Sequence, residues 1–552
     1  MDDVRLPTVS VVIPVYNALP YLRQTLASVA GQTIGTDALE VVAVDDGSTD
    51  GSGEVLDAWA EEQAFRVTVV HQEASGGPSR PRNVGLDHAS GRYVFFLDGD
   101  DCLGPEALER LVALAEKNGA DTVLAKFVGV GRAIRPEVRQ VFARTVDRAD
   151  PAAVYYSLMP FKLFRRSVIE EHRIRFPEHM RISEDQHFVA RAYLHSKVIS
   201  ILADYDCYYL VGRGDKGNIT HGGLDYPTMV AQAAEMVDLV KSLTEPGTLR
   251  DRLVTRHVKA ELLRRFDRRY LDADEAGRKE LAALAAPYAR EWVTRGVRAE
   301  LGVAERLRAH CLAEGLLDEL ARVVEWDLAG RPGKTRIRDG RLYAAAPYPP
   351  QSSAAYDELC DITGAVLAVS PRRRVDRITW TGGVVALSGY AYLDQVDTDD
   401  LTTSIVLRHP VTRREIALVA EAVPSPYLTV SRGKETYDYG RAGFRAAIDV
   451  ASADGGNPLE PGAWEVSLRC TAHGVSAGGG LGGALGHEVA RSAERHVLPL
   501  GADGGRPHTV SLGPQDGKLV LRIKPVPPPP SRLSRLKKLA GRVTGAANRR
   551  GG

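Results

Sequence analysis

Long hydrophobic runs are what this chain of 552 residues most clearly lacks. Although 44% of its residues are hydrophobic, no apolar stretch reaches the about 18 residues that a membrane-spanning helix needs. The opening segment MDDVRL also lacks the apolar core of a secretory signal peptide. These absences argue against an integral membrane protein or a secreted one, and we expect a cytoplasmic protein.

Excess charge and clustered cysteines are missing as well. The 71 basic and 71 acidic side chains cancel to a net charge of zero, which gives no support to nucleic-acid binding. The composition is that of a globular protein with about two to four domains. The cysteines lack the paired spacing of a zinc site or a disulfide framework, so reduced thiols fit best; they are Cys102, Cys207, Cys311, Cys360 and Cys470.

An acidic motif follows an apolar run between Tyr93 and Asp101, which has the sequence YVFFLDGDD. The carboxylates of Asp98, Asp100 and Asp101 repel one another unless a cation lies among them. Oxygen ligands favour Mg²⁺ or Mn²⁺ over zinc, and these ions commonly hold phosphate-bearing substrates. The motif therefore predicts a nucleotide or nucleotide-sugar site, with a solvated acidic turn as the alternative.

Strands and helices alternate before this motif. A β-branched strand begins at Val9 and precedes apolar residues at helical spacing, and further buried-type strands cover Leu39–Val44 and Val67–His71. This alternation predicts an α/β domain whose parallel sheet binds ligands at its carboxyl edge. Five polar residues are expected there, namely Asp46, Arg82, Asn83, Asp98 and Asp100.

Four segments in this order resemble the inverting glycosyltransferases of family 2, which have the GT-A fold: VSVVIPVYN from Val9, VDDGSTD from Val44, RNVG from Arg82 and FLDGDD from Phe96. The resemblance continues through PFKLFRR, RFP, SEDQ and NIT, and so covers roughly residues 1–225. The later segments are similar to the enzymes that add N-acetylglucosamine to the poly(ribitol-phosphate) of wall teichoic acid.

The resemblance implies a UDP-sugar donor, a Mn²⁺ or Mg²⁺ ion and a set of donor-binding residues. Asp46 would accept a hydrogen bond from uracil, and Asp98 would hold the ribose. Asp100 would bind the metal together with Asp98, and His221 would complete the metal shell, with a structural role as the alternative for this histidine. The remaining residues expected beside the nucleotide or its diphosphate are Pro14, Tyr16, Asn17, Arg82, Asn83 and Arg213.

The catalytic pair implied by the same resemblance is Glu184 and Asp185. Asp185 would take the proton from the acceptor hydroxyl as that hydroxyl attacks the anomeric carbon. One displacement inverts the stereochemistry, so an α-linked donor gives a β-linked product. The alternative is purely structural, because Ser183 and Gln186 have the spacing of a helix capping box.

A group of basic residues precedes this pair, and guanidinium groups match phosphate well. An anionic polyol-phosphate polymer is therefore a plausible acceptor, although some of these side chains could instead contact the donor diphosphate or solvent. The group consists of Arg132, Arg135, Arg139, Arg144, Lys162, Arg165 and Arg166.

The rest of the chain changes character twice. Residues 226–345 show helical periodicity and predict a helical linker domain, whereas period-two alternation predicts an Ig-like β-sandwich over 373–524, with a glycine-rich loop at 474–486. Such a sandwich could bind glycan, for instance through Tyr390, Tyr392, Tyr437 and Tyr439, or support a homotrimer as in the teichoic-acid enzymes. Packing is the alternative role for these tyrosines.

The tail, residues 525–552, combines a proline-rich spacer with a basic amphipathic segment. Its leucines fall near one helical face and its charges are all basic, which favours peripheral contact with the anionic inner face of the cell membrane. A solvated tail is the alternative.

These features together predict a metal-dependent inverting glycosyltransferase that moves N-acetylglucosamine from its UDP derivative to a cell-envelope polymer such as a teichoic acid. Alternatives are transfer of another sugar, from UDP-galactose, UDP-glucose or a dTDP-sugar, to a lipid-linked oligosaccharide, or a non-catalytic glycan-binding or assembly protein. A nucleotidyltransferase would need a glycine-rich, arginine-containing loop where Pro14-Val-Tyr-Asn17 stands. Processive synthases of the same family carry membrane spans and a Gln-x-x-Arg-Trp motif, which this sequence lacks.

Overall fold

The structure, a computed structural model, describes residues 6–180, 182–214, 225–428, 430–432, 435–486, 495–499 and 507–526. The chain forms two units, residues 1–324 and 325–552. His221 and the tail beyond residue 526 lie outside the described residues, as do Arg181 and the remainder of the 215–224 segment. Among the residues described, no helix is both long and apolar enough to cross a membrane.

The first unit begins with alternating strands and helices. Its strands are β1 (Val9–Val15), β2 (Leu39–Asp45), β3 (Arg66–His71), β4 (Tyr93–Phe96), β5 (Cys102–Leu103), β6 (Thr122–Ala125), β7 (Phe127–Val130), β8 (Lys162–Arg165), β9 (Ile199–Leu202) and β10 (Tyr208–Val211). Its helices up to β10 are α1 (Leu22–Ala30), α2 (Ser52–Glu61), α3 (Ser79–His88), α4 (Ala107–Asn118), α5 (Pro136–Val141), α6 (Pro151–Val154), α7 (Arg166–Glu171) and α8 (Glu184–His195).

The main sheet has the order β3-β2-β1-β4-β8-β6-β9. The first four of these strands are mutually parallel because each is joined to the next through a helix. Strand β8 runs antiparallel to both β4 and β6, so the sheet is mixed and the prediction of a parallel sheet was too simple. A second sheet, β5-β10-β7, begins directly after the acidic motif.

β-branched side chains explain why β1 lies at the centre of the main sheet. Val9, Val11, Val12 and Ile13 are fully buried, and a strand covered on both faces is expected to be apolar throughout. Its carboxyl end and those of β2 and β4 consequently reach the same edge of the sheet, where the polar loops begin.

Helices follow β10 in the first unit, which confirms the predicted helical region. They are α9 (Tyr226–Leu243), α10 (Thr248–His257), α11 (Arg268–Asp272), α12 (Glu275–Trp292), α13 (Arg295–Glu300) and α14 (Val303–Glu314), with α15 (Leu317–Leu328) crossing into the second unit. The Asp225 side chain accepts the Thr228 N–H at 2.7 Å, and that of Asp274 accepts the Gly277 N–H at 2.8 Å. These caps satisfy N–H groups that otherwise lack partners at a helix start.

The second unit is mainly β-structure. After β11 (Arg336–Arg338), β12 (Arg341–Tyr343), α16 (Ala354–Cys360) and α17 (Thr363–Ala368) come β13 (Arg372–Thr381), β14 (Val384–Tyr392), β15 (Thr402–Arg408), β16 (Glu415–Val419), β17 (Glu421–Val423), β18 (Val430–Arg432), β19 (Glu435–Tyr437), β20 (Gly443–Asp449), β21 (Gly462–Ala472), β22 (Val475–Gly480), β23 (Arg495–Pro499), β24 (Pro507–Gln515) and β25 (Lys518–Pro525).

Two of its sheets enclose one apolar core, which is the sandwich arrangement that the sequence predicted. One sheet has the order β13-β14-β20-β17 and the other β16-β15-β21-β25-β24-β23, with β22 also paired to β21. Val385 and Leu387 from the first sheet join Trp464 and Val466 from the second in this core. Part of the predicted glycine-rich loop is the strand β22, so that prediction was wrong there.

The four tyrosines considered as sugar platforms differ in exposure. Tyr437 and Tyr439 are buried, and the Tyr439 ring stacks on that of Tyr392 with the centroids 3.9 Å apart. Tyr390 and Tyr392 pack on the same small cluster while remaining partly exposed. Packing therefore accounts for Tyr437 and Tyr439.

Candidate functional site

A cavity of about 670 Å³ opens at the carboxyl edge of the main sheet. This edge is where α/β folds commonly bind their ligands, because the loops after neighbouring strands converge there. Nine of the twelve predicted site residues line it, namely Pro14, Tyr16, Asp46, Arg82, Asp98, Asp100, Glu184, Asp185 and Arg213.

Asp46 follows β2 and is fixed as a hydrogen-bond acceptor. Its carboxylate accepts the Ser75 N–H at 3.1 Å, the Ser75 hydroxyl at 2.8 Å and the Gln72 side-chain amide at 2.5 Å. Only 4% of the residue is exposed. Because these contacts fix the carboxylate, its orientation is set before any ligand arrives.

Asn17 joins the loops that follow β1 and β2. Its Oδ1 accepts the Thr49 N–H at 2.8 Å and its own N–H donates to Ser48 Oγ at 3.0 Å. It is not among the residues that line the cavity, so its predicted contact with the nucleotide does not fit its position. The neighbouring Tyr16 is 56% exposed and does line the cavity.

The three aspartates of the acidic motif have different surroundings. Asp101 is 2% exposed and is held by the Tyr208 hydroxyl at 2.6 Å and the Val211 N–H at 2.7 Å. Asp98 and Asp100 are more open, with 29% and 22% of their side chains exposed. Burial and the nearby Asp98 charge raise the pKa of Asp100 to about 6.

A divalent cation would relieve this repulsion. Asp98 and Asp100 supply hard oxygen donors, which fit Mg²⁺ or Mn²⁺. Arg213 Nη1 lies 3.8 Å from Asp100 Oδ2, and Arg213 Nη2 donates to the Asn17 carbonyl at 3.0 Å. The guanidinium group is therefore held beside the acidic pair, where a substrate anion would also lie.

Arg82 lies beneath the cavity on α3. Its Nη2 donates to Asp98 Oδ1 at 2.8 Å and its Nη1 to Glu184 Oε1 at 2.7 Å. The carboxylates of Asp98 and Glu184 hold the pKa of Arg82 above its usual range, despite burial. Arg82 lines the cavity, but both of its terminal nitrogens already have protein partners, and its predicted position beside the nucleotide stays a prediction.

Asn83 faces away from the cavity. Its Nδ2 donates to the Phe176 carbonyl at 2.9 Å and its Oδ1 accepts the Phe176 N–H at 2.9 Å. Both ends of the amide are thus used to fasten the segment that precedes α8. Asn83 is not among the cavity-lining residues, and the nucleotide contact predicted for it does not fit this arrangement.

Asp185 lies in the first turn of α8 and lines the cavity. Burial and the adjacent Glu184 charge hold its pKa well above the usual range of an aspartate. The capping-box alternative is wrong, because Ser183 adopts a φ of 72° and makes no side-chain cap to the helix. The unusual backbone at Ser183 is a cost that often accompanies functional sites.

Lys162 is buried on β8, with 2% of its surface exposed. Its Nζ donates to the Met159 carbonyl and to Ser157 Oγ, the latter at 3.4 Å. Burial lowers its pKa to about 7, while the Asp185 charge opposes this shift. Its place in the core, away from solvent, was not predicted from its membership of the basic group.

Four of the other basic residues separate into two sets. Arg132 and Arg135 line the cavity as the anion hypothesis requires. Arg165 instead pairs with Asp121 at 2.9 Å, and Arg166 donates to the Gly91 carbonyl at 2.7 Å. The suggested role of Arg165 and Arg166 in binding a substrate anion therefore gives way to a structural one.

Sequence reasoning missed Arg256. It lines the cavity from α10, and its Nη1 donates to Gln186 Oε1 at 2.9 Å and Glu261 Oε1 at 2.7 Å. In the sequence it stands among many charged residues with helical spacing, and nothing local separates it from the solvated face of a helix.

A second cavity, of about 330 Å³, shares Arg135, Gln186 and Arg256 with the first and adds Arg264. The pKa of Arg135 is lowered by burial and by the charges of Arg256 and Arg264. Two polar atoms at its wall, His187 Nε2 and Gln232 Oε1, are buried without a hydrogen-bond partner. These features favour an anionic or hydrogen-bonding occupant.

The fold and the cavity together define a nucleotide-sugar-binding domain of the GT-A kind. Residues 10–173 match the model of glycosyl transferase family 2, residues 227–324 that of the glycosyl transferase TarS linker domain, and residues 365–482 that of the TarS β-glycosyltransferase C-terminal domain 1. Three stretches of the chain therefore match, in order, a family 2 glycosyltransferase domain and the linker and first carboxy-terminal domains of the TarS kind. The predicted resemblance and fold class are confirmed.

Two curated relatives are similar over 206 and 205 residues, respectively. The poly(ribitol-phosphate) beta-glucosyltransferase of Bacillus spizizenii is 39% identical over 37% of this chain and 32% of its own length. The poly(ribitol-phosphate) beta-N-acetylglucosaminyltransferase TarS of Staphylococcus aureus is 35% identical over 37% of this chain and 35% of its own length. The matched segments thus span about a third of each relative.

A crystal structure of S. aureus TarS 1-349 in complex with UDP-GlcNAc is also similar. It is 26% identical, with a TM-score of 0.53, and the match covers 62% of this chain and 99% of that one.

Proposed function

We propose that this chain is a metal-dependent inverting glycosyltransferase. It transfers a sugar from a UDP-sugar to a hydroxyl group of a cell-envelope polymer, best matched by a polyol phosphate of the teichoic-acid type. The observation that carries the proposal is the convergence of Asp46, Asp98, Asp100 and Asp185 on one cavity. Each of the four has the environment that its proposed role requires.

The donor would lie beside the aspartates that line the cavity, Asp46, Asp98 and Asp100. A fixed carboxylate acceptor at Asp46 suits the imide N–H of uracil, and Asp98 suits the ribose hydroxyls. Arg213 is held where it would contact the diphosphate. The TarS complex with UDP-GlcNAc supports this donor class, because its chain is similar to the catalytic part of this one.

The residues expected to hold a divalent ion are Asp98 and Asp100, and His221 is proposed as a third ligand although it lies outside the described residues. When bound, such an ion stabilises the negative charge that develops on a departing diphosphate. The ion would also offset the repulsion between the two carboxylates, since burial and the Asp98 charge raise the pKa of Asp100.

Bond formation and bond breaking then occur in one step. The acceptor oxygen bonds to the anomeric carbon, the bond from that carbon to the UDP oxygen breaks, and Asp185 takes the hydroxyl proton. A raised pKa suits Asp185 to this task, because a carboxylate with a low pKa is a poor proton acceptor near neutral pH. Attack opposite the leaving group inverts the anomeric configuration.

The acceptor would lie beside a group of arginines. Arg132, Arg135 and Arg256 are at the cavity, and Arg264 extends this charge into the second cavity. Because the guanidinium groups of Arg135, Arg256 and Arg264 repel one another, a phosphodiester bound among them is stabilised. A repeating polymer can place one phosphate there while a neighbouring unit presents its hydroxyl to Asp185.

The sugar is proposed to be N-acetylglucosamine, with glucose as the second candidate. The two relatives named above differ in this respect, one being described as a glucosyltransferase and the other as an N-acetylglucosaminyltransferase. Reversible contact of the basic tail with an anionic membrane, a cytoplasmic location and assembly into trimers are further parts of the proposal, supported by the tail sequence and the TarS-type domains.

The test is a transfer assay with the full-length chain. We expect UDP release from UDP-N-acetylglucosamine with Mn²⁺ to increase when poly(ribitol phosphate) is added, and the product to be β-linked. UDP-glucose, UDP-galactose and dTDP-sugars serve as competing donors, and a neutral glycan and a lipid-linked oligosaccharide serve as competing acceptors. Absence of UDP release with every donor and acceptor, from a protein that is folded by circular dichroism, would refute an enzymatic function.

A further inference from the structure

Arg82 connects the donor side of the cavity to the base side. Only 5% of its side chain is exposed, and its planar guanidinium spans Asp98 at the end of β4 and Glu184 at the start of α8. Two N–H groups directed at two carboxylates fix both distance and angle, which a single ammonium charge cannot do. The two segments are distant in sequence, so this contact sets their relative position.

Glu184 is poorly placed to act as a base itself. Its side chain is 8% exposed and accepts the Arg82 N–H at 2.7 Å. Its carboxylate is one of the two counter-charges of the buried Arg82, and removing one partner from a buried ion pair is strongly unfavourable. Asp185, in contrast, accepts the backbone N–H of Gln186 at 2.8 Å and keeps a raised pKa.

The support beneath Arg82 is rigid as well. Its guanidinium carbon lies 5.2 Å from the centroid of the Phe176 ring. The backbone of Phe176 is in turn held on both sides by the Asn83 amide. Within the RNVG motif, Arg82 therefore pairs with two carboxylates, and Asn83 holds the backbone of Phe176, whose ring packs against the Arg82 guanidinium.

We propose that Arg82 and Glu184 are positioning residues, whose buried ion pair fixes the first turn of α8 relative to Asp98 so that Asp185 alone serves as the base. This inference rests on the proposed function and refines it, since Glu184 was predicted to be catalytic together with Asp185. It also makes the donor site and the base interdependent, because Asp98 and Glu184 share one guanidinium group.

Two variants test the idea through the pH dependence of kcat/KM for transfer. The acidic limb of that profile reports the pKa of the base in the free enzyme. The Glu184 charge raises the pKa of Asp185, whereas the Arg82 charge lowers it. We therefore expect the limb to move to lower pH in Glu184→Gln and to higher pH in Arg82→Met, relative to the wild type.

The size of the loss separates positioning from catalysis. Displacing a base without removing it is expected to lower kcat about 10²-fold, whereas removing the base in Asp185→Asn should lower it by up to about 10⁴-fold. Glu184→Gln retains the shape of the side chain and an oxygen acceptor for Arg82, so we expect its loss to stay below that of Asp185→Asn. A Glu184→Gln variant as inactive as Asp185→Asn, or one with unchanged kcat and an unmoved acidic limb, would overturn the proposal.

Coupling is tested with the double variant Arg82→Met, Glu184→Gln. If the pair acts as a unit, the double variant should lose little more activity than Arg82→Met alone. Losses that multiply within about twofold would contradict a shared role. UDP affinity, measured by calorimetry with Mn²⁺, should fall in Arg82→Met because Asp98 loses its partner, and should change much less in Glu184→Gln.

The matched control is Glu275→Gln, which removes a carboxylate from an exposed ion pair with Lys279 on α12. It should leave both the profile and the affinity unchanged. Failure of the proposed function is distinguishable, because the wild type itself would then show no transfer. If Arg82→Met does not fold, the opposite shift is lost as a readout, but Glu184→Gln must still move the limb downward for the proposal to stand.

Discussion

The two sides of the cavity are built in different ways. On the donor side, Asp46 and Asp101 are fixed by hydrogen bonds from backbone and side chains of neighbouring loops. On the proposed acceptor side, Arg135 directly precedes α5 and Arg256 lies on α10, and buried polar atoms of His187 and Gln232 lack hydrogen-bond partners. From this comparison we expect a preformed site for the proposed donor and a site that the proposed acceptor completes.

The largest expected effect is that of removing the proposed base, Asp185, which belongs to neither the donor side nor the acceptor side of the cavity. Asp185→Asn removes the proton acceptor while retaining the size of the side chain, and we expect transfer to fall by about 10²- to 10⁴-fold. UDP affinity should be nearly unchanged, since the donor contacts lie on other residues. Parallel measurements of kcat and of UDP binding check this. A fall in UDP affinity comparable with the fall in kcat would place Asp185 on the donor side instead.

Asp100→Asn should damage the donor side. The variant removes one of the two carboxylate charges that attract a divalent ion. Metal-dependent donor hydrolysis in the absence of acceptor should therefore fall by about 10²-fold or more. Titration with Mn²⁺ should show a much higher concentration for half-activation. Asp57→Asn, at an exposed position on α2, is the control, and slow hydrolysis that is equal in wild type and Asp100→Asn would exclude the metal role.

Arg256→Gln should affect only the acceptor side. We expect KM for a polyol-phosphate acceptor to rise about tenfold while KM for the donor stays constant, because one charge-assisted contact to phosphate is worth about 1.5–3 kcal/mol at most. The salt dependence of acceptor KM should also become shallower. A rise in donor KM of the same size would remove the division between the two sides.

The smallest expected effect is that of Lys162→Met on the pH dependence of the free energy of unfolding. Burial lowers its folded-state pKa to about 7, below the about 10.4 expected in the unfolded chain. Between these values the unfolded chain holds a proton that the folded chain has lost, so this lysine makes stability rise with pH, by up to about 1.4 kcal/mol per unit. Lys162→Met lacks this slope.

Denaturant unfolding of wild type and Lys162→Met at pH 7 and pH 9.5 measures the difference. The stability of the variant relative to the wild type should decrease as pH rises, whatever constant offset arises from lost contacts to Ser157 and Met159. A pH-independent difference would mean that Lys162 keeps its charge in the folded protein.

The residues of the donor side and those of the acceptor side also differed in how well the sequence predicted them. The donor residues Asp46, Asp98 and Asp100 belong to short motifs at strand ends, where a local pattern and the parallel arrangement of β1, β2 and β4 suffice to bring them together. Asn17 and Asn83 belong to the same motifs, yet the structure turns both amides toward the backbone. A motif can predict where such a residue lies but not in which direction its side chain points.

Arg132 and Arg135 were predicted for the acceptor side, but Arg256 escaped prediction for a different reason. Arg256 approaches the cavity from α10, and no sequence pattern distinguishes it from the solvated arginines around it. The antiparallel course of β8 was missed as well, because the chain reverses direction only after the long excursion through β6, β7, α5 and α6. Lys162 became a core residue through that same reversal.

The balanced formal charge of the chain conceals local concentrations of charge. Aspartates and arginines both line the one cavity, so a substrate arriving there meets a local field that the average over the whole surface does not reveal. Such a field orients a polyanion before contact, and it would assist capture from dilute solution at low ionic strength while leaving the isoelectric point of the protein unremarkable.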